Sequence, residues 1–172
     1  KLGQISSYDT PIYFTPKSNI KGNCSTTITI TDGTNSATIT LSAPIKPTYY
    51  FYAQAIAYTG DAESTTGGTT TVTFNDGKNQ DTYSIVTDHT ANNATTTATY
   101  TAVPNIAGGY VFDGWKTSPN ATEYVSRELT MTGVAITSNS LSSPATAQQT
   151  YYAMFVQKYD PEFKGSTSQS MM

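Results

Sequence analysis

The chain has 172 residues, a formal charge of −3 and only 12% charged residues, about half the usual share of about 25%. Thr, Ser, Asn and Gly take the place of the missing charges, a hydroxyl-rich composition that suits an extracellular β protein. The nine Lys and Arg are scattered, which disfavours nucleic-acid binding; no apolar run approaches the ~20 residues of a transmembrane segment; and a lone cysteine, Cys24, excludes a disulfide scaffold.

The chain opens at Lys1-Leu2-Gly3 without Met, as expected for a mature fragment or a piece of a longer protein. Prolines at 11 and 16 break the first 24 residues into irregular structure, with Ile12-Tyr13-Phe14 as one short strand between them. The clearest local signal follows. STTITIT (Ser25 to Thr31) and SATITLS (Ser36 to Ser42) both alternate hydroxyl and apolar residues around Asp32-Gly33, which predicts a hairpin. Cys24 beside it reads as a small, partly buried residue.

TYYFYAQAIAY (Thr48 to Tyr58) is apolar at most positions, and its four consecutive aromatics favour a strand over a short helix. GDAESTTGG (Gly60 to Gly68) reads as a linker between modules. Beyond it, Thr69 to Asn75 alternates with Val72 and Phe74 on one face. Asp76-Gly77 reads as a turn, and Gln80 to Thr87 as the returning strand with Tyr83 and Ile85 together. Ala94 to Val103 puts Ala98, Tyr100 and Ala102 on one face. After Pro104 comes GYVFDGW, holding the only Trp. Tyr110 and Phe112 share a face by period two, and Gly114 permits a bulge that re-aims Trp115. Ser118 to Thr132 reads as a short helix near 119–131, from the spacing of Tyr124, Arg127, Glu128 and Met131, or equally as a loop with a short strand. Gly133 to Thr137 is a further short strand, Asn139 to Gln148 a loop, Thr150 to Tyr159 the closing strand, and 160–172 a tail. TYYFYAQ at Thr48 echoes TYYAMFVQ at Thr150, as two modules with matching closing strands would.

Thr97 to Trp115, TATYTAVPNIAGGYVFDGW, together with TYYAMF from Thr150 to Phe155, resembles the divergent InlB B-repeat family of bacterial surface repeats over about residues 69–157. Ala102, Pro104, Gly109, Tyr110, Phe112, Gly114 and Trp115 fill the first part of its pattern. Tyr151 or Tyr152, Ala153 and Phe155 fill the second. The resemblance implies a small β-grasp-like or all-β module in a secreted or surface-anchored protein, serving as spacer, stalk or adhesion unit, with no catalytic residues to carry over.

Candidate chemistry is sparse. His89, the only histidine, lies in a polar stretch near Ser84 and Asp88 without a nucleophile-elbow motif. Zinc would need several His or Cys. Asp76, Asp81 and Asp88 lack the spacing of a calcium loop, and Asp76-Gly77 reads more simply as a turn. A Lys–Asn isopeptide bond would need a buried acid beside the pair. The aromatics have two readings. A β module short of Leu and Ile builds its core from them, and the expected core is Tyr110, Phe112, Trp115, Tyr152 and Phe155. Displayed on one face they would stack on sugar rings, with Tyr49, Tyr50 and Tyr52 as the candidate platform.

The expected molecule is mainly β, with two small modules in tandem: an N-terminal module over 1–60, a linker over 61–68, and a β-grasp-like or β-sandwich-like module over 69–159. The expected function is that of a non-enzymatic structural or adhesive unit at a bacterial cell surface or outside the cell. It would carry no cofactor or metal, and its partners would be neighbouring copies, surface glycans or host proteins. A carbohydrate-binding module is the alternative.

Overall fold

Alternating Thr and Ile can satisfy a strand only by sending one set to each face, and the structure begins on that arrangement. The computed structural model describes residues 22–75, 81–87 and 91–158; the expected features at Ile12-Tyr13-Phe14, Asp76-Gly77, Asp88, His89 and 160–172 lie outside the described residues. β1 (Gly22–Thr31) and β2 (Ser36–Ile45) form the antiparallel hairpin read from the sequence. Ile28 stands opposite Ile39 and Ile30 opposite Ala37, while Thr27 faces Thr40 and Thr29 faces Thr38. One face is therefore aliphatic and the other a grid of hydroxyls. The Asp32 carboxylate closes the turn, accepting from the backbone N–H of Thr34 (2.9 Å) and Asn35 (2.7 Å), and Gly33 supplies the positive φ of 93°.

The chain passes from this unit into a second one between Pro47 and Thr48. That corrects the expected boundary. β3 (Thr48–Thr59) belongs to the second unit because its hydrogen-bonding partners lie there. The stretch read as a linker instead turns into β4 (Ala62–Glu63), which pairs back on the end of β3, and then opens β5 (Gly68–Phe74). Gly67 and Gly68 serve close packing rather than flexibility: a Cβ on either would run into the Phe155 side chain.

The second unit is a sandwich. β5, β7 (Ala94–Pro104) and β9 (Thr130–Ser138) make a three-stranded antiparallel sheet with β7 in the middle. The facing sheet runs β4-β3-β10-β8, with β8 at Tyr110–Lys116 and β10 at Gln149–Gln157; β6 (Thr82–Val86) pairs the first half of β3. The expected return of this segment on Thr69–Asn75 does not occur: its residues pair with β3, from Thr82 opposite Tyr52 to Val86 opposite Thr48, and β5 pairs only β7. β10 sits between β3, to which it is parallel, and β8, to which it is antiparallel. The two echoing segments are thus sheet neighbours within one unit, not closing strands of two modules.

Between the sheets lies one apolar core containing Tyr49, Phe51, Phe74, Ala98, Tyr100, Ala102, Trp115, Tyr151 and Phe155. Tyr100 meets Tyr151 edge-on at 4.9 Å and Trp115 at 6.2 Å. Trp115 is fully buried, and a bulge puts it there. Asp113 and Gly114 together occupy the space opposite Met154, so Phe112 and Trp115 face the same way although three residues apart. Gly114 adopts φ 149° to do so.

No helix forms over 119–131. The segment runs through turns and bends and crosses β8 through one bridge, in which Trp115 N–H donates to Ser126 O and Val125 N–H to Trp115 O, each at 2.8 Å. The sandwich form therefore holds, and the β-grasp form, which needs a helix on the sheet, does not.

Candidate functional site

Period two splits the run TYYFY. Tyr49 and Phe51 point into the core with 0% exposure, so Tyr49 leaves the expected platform. Tyr50 and Tyr52 point outward and are half-buried. The same phase carries Gln54, Ile56 and Tyr58 to the outer face. On β10 the outward set is Thr150, Tyr152, Met154 and Val156. Tyr152 therefore lies outside the expected core, and Tyr151 takes its place inside. Register brings Tyr152 beside Ile56 on one side and Lys116 on the other. The Tyr58 and Tyr152 rings meet edge to face at 5.5 Å and 78°.

Of the other expected core residues, Trp115 and Phe155 belong to the core and Phe112 packs against it, whereas Tyr110 does not join it. Trp115 and Phe155 are buried, Phe112 packs against both at 5.6 and 5.9 Å, and Tyr110 lies half-buried at the rim of the same face.

The two outer faces of the sandwich differ in kind. The three-stranded sheet presents hydroxyls: Thr71 pairs Thr101, Thr73 pairs Thr99, and the Thr95 and Thr137 hydroxyls are hydrogen-bonded at 2.9 Å. The five-stranded sheet presents Tyr50, Tyr52, Tyr58 and Tyr152 among aliphatic side chains, with Ser84 opposite Tyr50 and Thr82 opposite Tyr52. Hydroxyls and the Gln54 amide thus stand beside the rings. A face of this composition offers stacking surfaces together with neutral donors and acceptors.

Next to it, β3 has an interrupted edge. β6 pairs it through Tyr52, and β4 begins at Tyr58. Between them a groove of about 480 Å³ is lined by Gln54 to Ala57, Glu63 to Thr65, Thr69 and Thr70. The Thr70 hydroxyl donates to Ala55 O at 2.8 Å across its floor.

The 117–129 connection is fastened to β8 by Tyr124. Its hydroxyl donates to Asp113 Oδ2, Arg127 lies 4.0 Å and Lys116 4.8 Å from the ring centre, and Arg127 pairs Asp113 at 3.3 Å. The bond to Asp113 raises the Tyr124 pKa, with a smaller contribution from desolvation. Burial raises those of Tyr100 and Tyr151. These shifts keep the phenols neutral and do not activate them.

Among the described residues, no group of three His, Cys, Asp or Glu is placed to hold a metal, the only buried polar side chain is Ser138, and no helix is long and apolar enough to cross a membrane. Asp81 precedes β6 and its carbonyl accepts from Ala53 N–H, so its backbone is used in the sheet. Cys24 is half-buried on β1, opposite Ala43. No family model, curated protein or solved structure matches the chain.

Proposed function

We propose that the chain is a non-enzymatic structural and adhesive module of a bacterial cell-surface or secreted protein, of the kind the InlB B-repeat resemblance implies. The observation that supports it is the outer face of the five-stranded sheet. A core already built from Tyr49, Phe51, Tyr100, Trp115 and Phe155 has no use for Tyr50, Tyr52, Tyr58 and Tyr152 on the opposite face. Contact with a partner gives them one, since Tyr supplies a large, rigid area with a polar tip at small entropic cost.

The carbohydrate-binding reading is favoured by the same face, in its corrected membership. Half-buried rings beside Ser84, Thr82, Gln54 and Thr150 combine stacking with neutral hydrogen bonding, which suits an uncharged polyol.

The test is to immobilise the full chain and pass neutral polysaccharides and host glycoproteins over it, with the double variant Tyr52→Ala, Tyr152→Ala alongside. Binding that the double variant loses while its Tm stays near that of the parent supports an adhesive face. Loss on deglycosylating the partner assigns the contact to glycan. Binding left intact in the double variant places adhesion elsewhere.

A further inference from the structure

We infer that the parallel β3–β10 ladder is a mechanical clamp that resists force applied along the chain. The inference rests on the structural half of the proposed function, because only a module held between two attachment points meets such a load; it is independent of whether the outer face binds anything. β3 is the strand by which the chain enters the second unit and β10 is its last described strand. They are direct neighbours running in the same direction, with Gln149 opposite Ala53 through to Phe155 opposite Thr59. Tension that enters before Thr48 and leaves after Gln157 therefore pulls the two strands past one another. Ladder hydrogen bonds lie across the strands, so sliding loads the whole ladder together, whereas peeling loads one bond at a time.

Both strands are held on their other sides as well. β10 cannot slide without shearing its antiparallel ladder with β8, from Tyr152 opposite Lys116 to Gln157 opposite Tyr110. The first half of β3 is paired with β6 from Thr48 to Tyr52. On its opposite edge Tyr50 O accepts from the buried Ser138 hydroxyl, and Tyr50 N–H donates to Ser140 O at 3.2 Å. Inward side chains on both strands add a steric lock, since Phe51, Tyr151 and Phe155 are seated in the core and must leave it for either strand to move. Forced unfolding is set by the unfolding barrier rather than by equilibrium stability, so this resistance depends on the direction of pulling.

Direction supplies the experiment. In the full chain with Cys24→Ser, one variant carries Lys46→Cys and Lys158→Cys as handles, and the other Asp61→Cys and Lys158→Cys. All three handle positions are exposed and lie outside the strands. The first pair draws β3 and β10 past each other. The second pulls from the end where Thr59 and Phe155 are neighbours and peels them apart. Single-molecule force spectroscopy at one loading rate is expected to give a rupture force several-fold higher for the first pair. Equal forces, or a higher force for the second, would overturn the clamp and leave the adhesive face untouched. Loss of glycan or glycoprotein binding with the force difference retained would do the reverse.

Discussion

Trp115 spends its one side-chain donor on Glu128 O at 3.1 Å and sets its ring edge-on to Tyr100 and Phe112. Trp115→Ala removes that contact and leaves a cavity in a core that cannot close over it, at a cost of roughly 3–5 kcal/mol. An unchanged Tm would refute the assignment. The native indole should also emit in the blue, as a water-excluded ring does. Gly114→Ala is expected to destabilise through two routes, because φ 149° disfavours a side chain and the new Cβ would overlap the Tyr124 ring. Tyr124→Phe keeps that ring between Arg127 and Lys116 but loses the bond to Asp113, and should cost about 1 kcal/mol in chemical denaturation. Asp32 gives a pH signature. Backbone N–H groups of Asn35 and Thr34 hold its carboxyl below the ordinary 3.8. Its support for the turn is therefore complete above 3.8 and is lost as the pH falls through the lower folded value, which an NMR titration of Asn35 N–H would follow. The burial of Trp115 was legible in the sequence because Gly114 offers the bulge that turns it inward. Tyr49 and Tyr152 were misplaced for a single reason. In Tyr49-Tyr50 and Tyr151-Tyr152 the adjacent residues are identical, so either phase of the strand looks equally apolar.

Elements were readable where their partners are close in sequence. The β1–β2 hairpin declares itself through Asp32-Gly33 and two alternating runs, and Ala98, Tyr100 and Ala102 of β7 all point inward as period two requires. The pairing of β3 with β10 and β6 was not readable, because a strand's alternation records which face is buried and says nothing of its neighbour. Of the two readings of 119–131, the loop is the one observed and the helix fails for a similar reason. Tyr124, Arg127 and Glu128 fall at helical spacing, but each is committed to β8: Tyr124 to Asp113, Arg127 to Asp113, Glu128 O to the indole. Ser138 is the point at which β9 engages β3, its buried hydroxyl donating to Tyr50 O and accepting from Ser140 N–H at 3.1 Å. Ser138→Ala leaves both partners short of a bond and should lower stability by about 1–3 kcal/mol in a urea melt.

At the scale of the molecule the two units differ in what holds them. The hairpin has ladder bonds and a turn, with Ile30, Ile39 and Leu41 all exposed, and two strands alone are marginal in water. The second unit has a continuous aromatic core. Amide exchange should therefore be fast across β1 and β2 and slow in β7 and β10, and uniform protection would contradict the division at Pro47. The position of β10 also has a consequence in time. It is the last strand of its sheet to leave the ribosome, yet it lies between β3 and β8, which are made long before it. Until residues 149–157 emerge, the inner edges of β3 and β8 have no ladder partner and Trp115 has only part of its enclosure. The β5-β7-β9 sheet is complete in sequence before then, but the facing sheet can join β3 to β8 only once this final segment has been made.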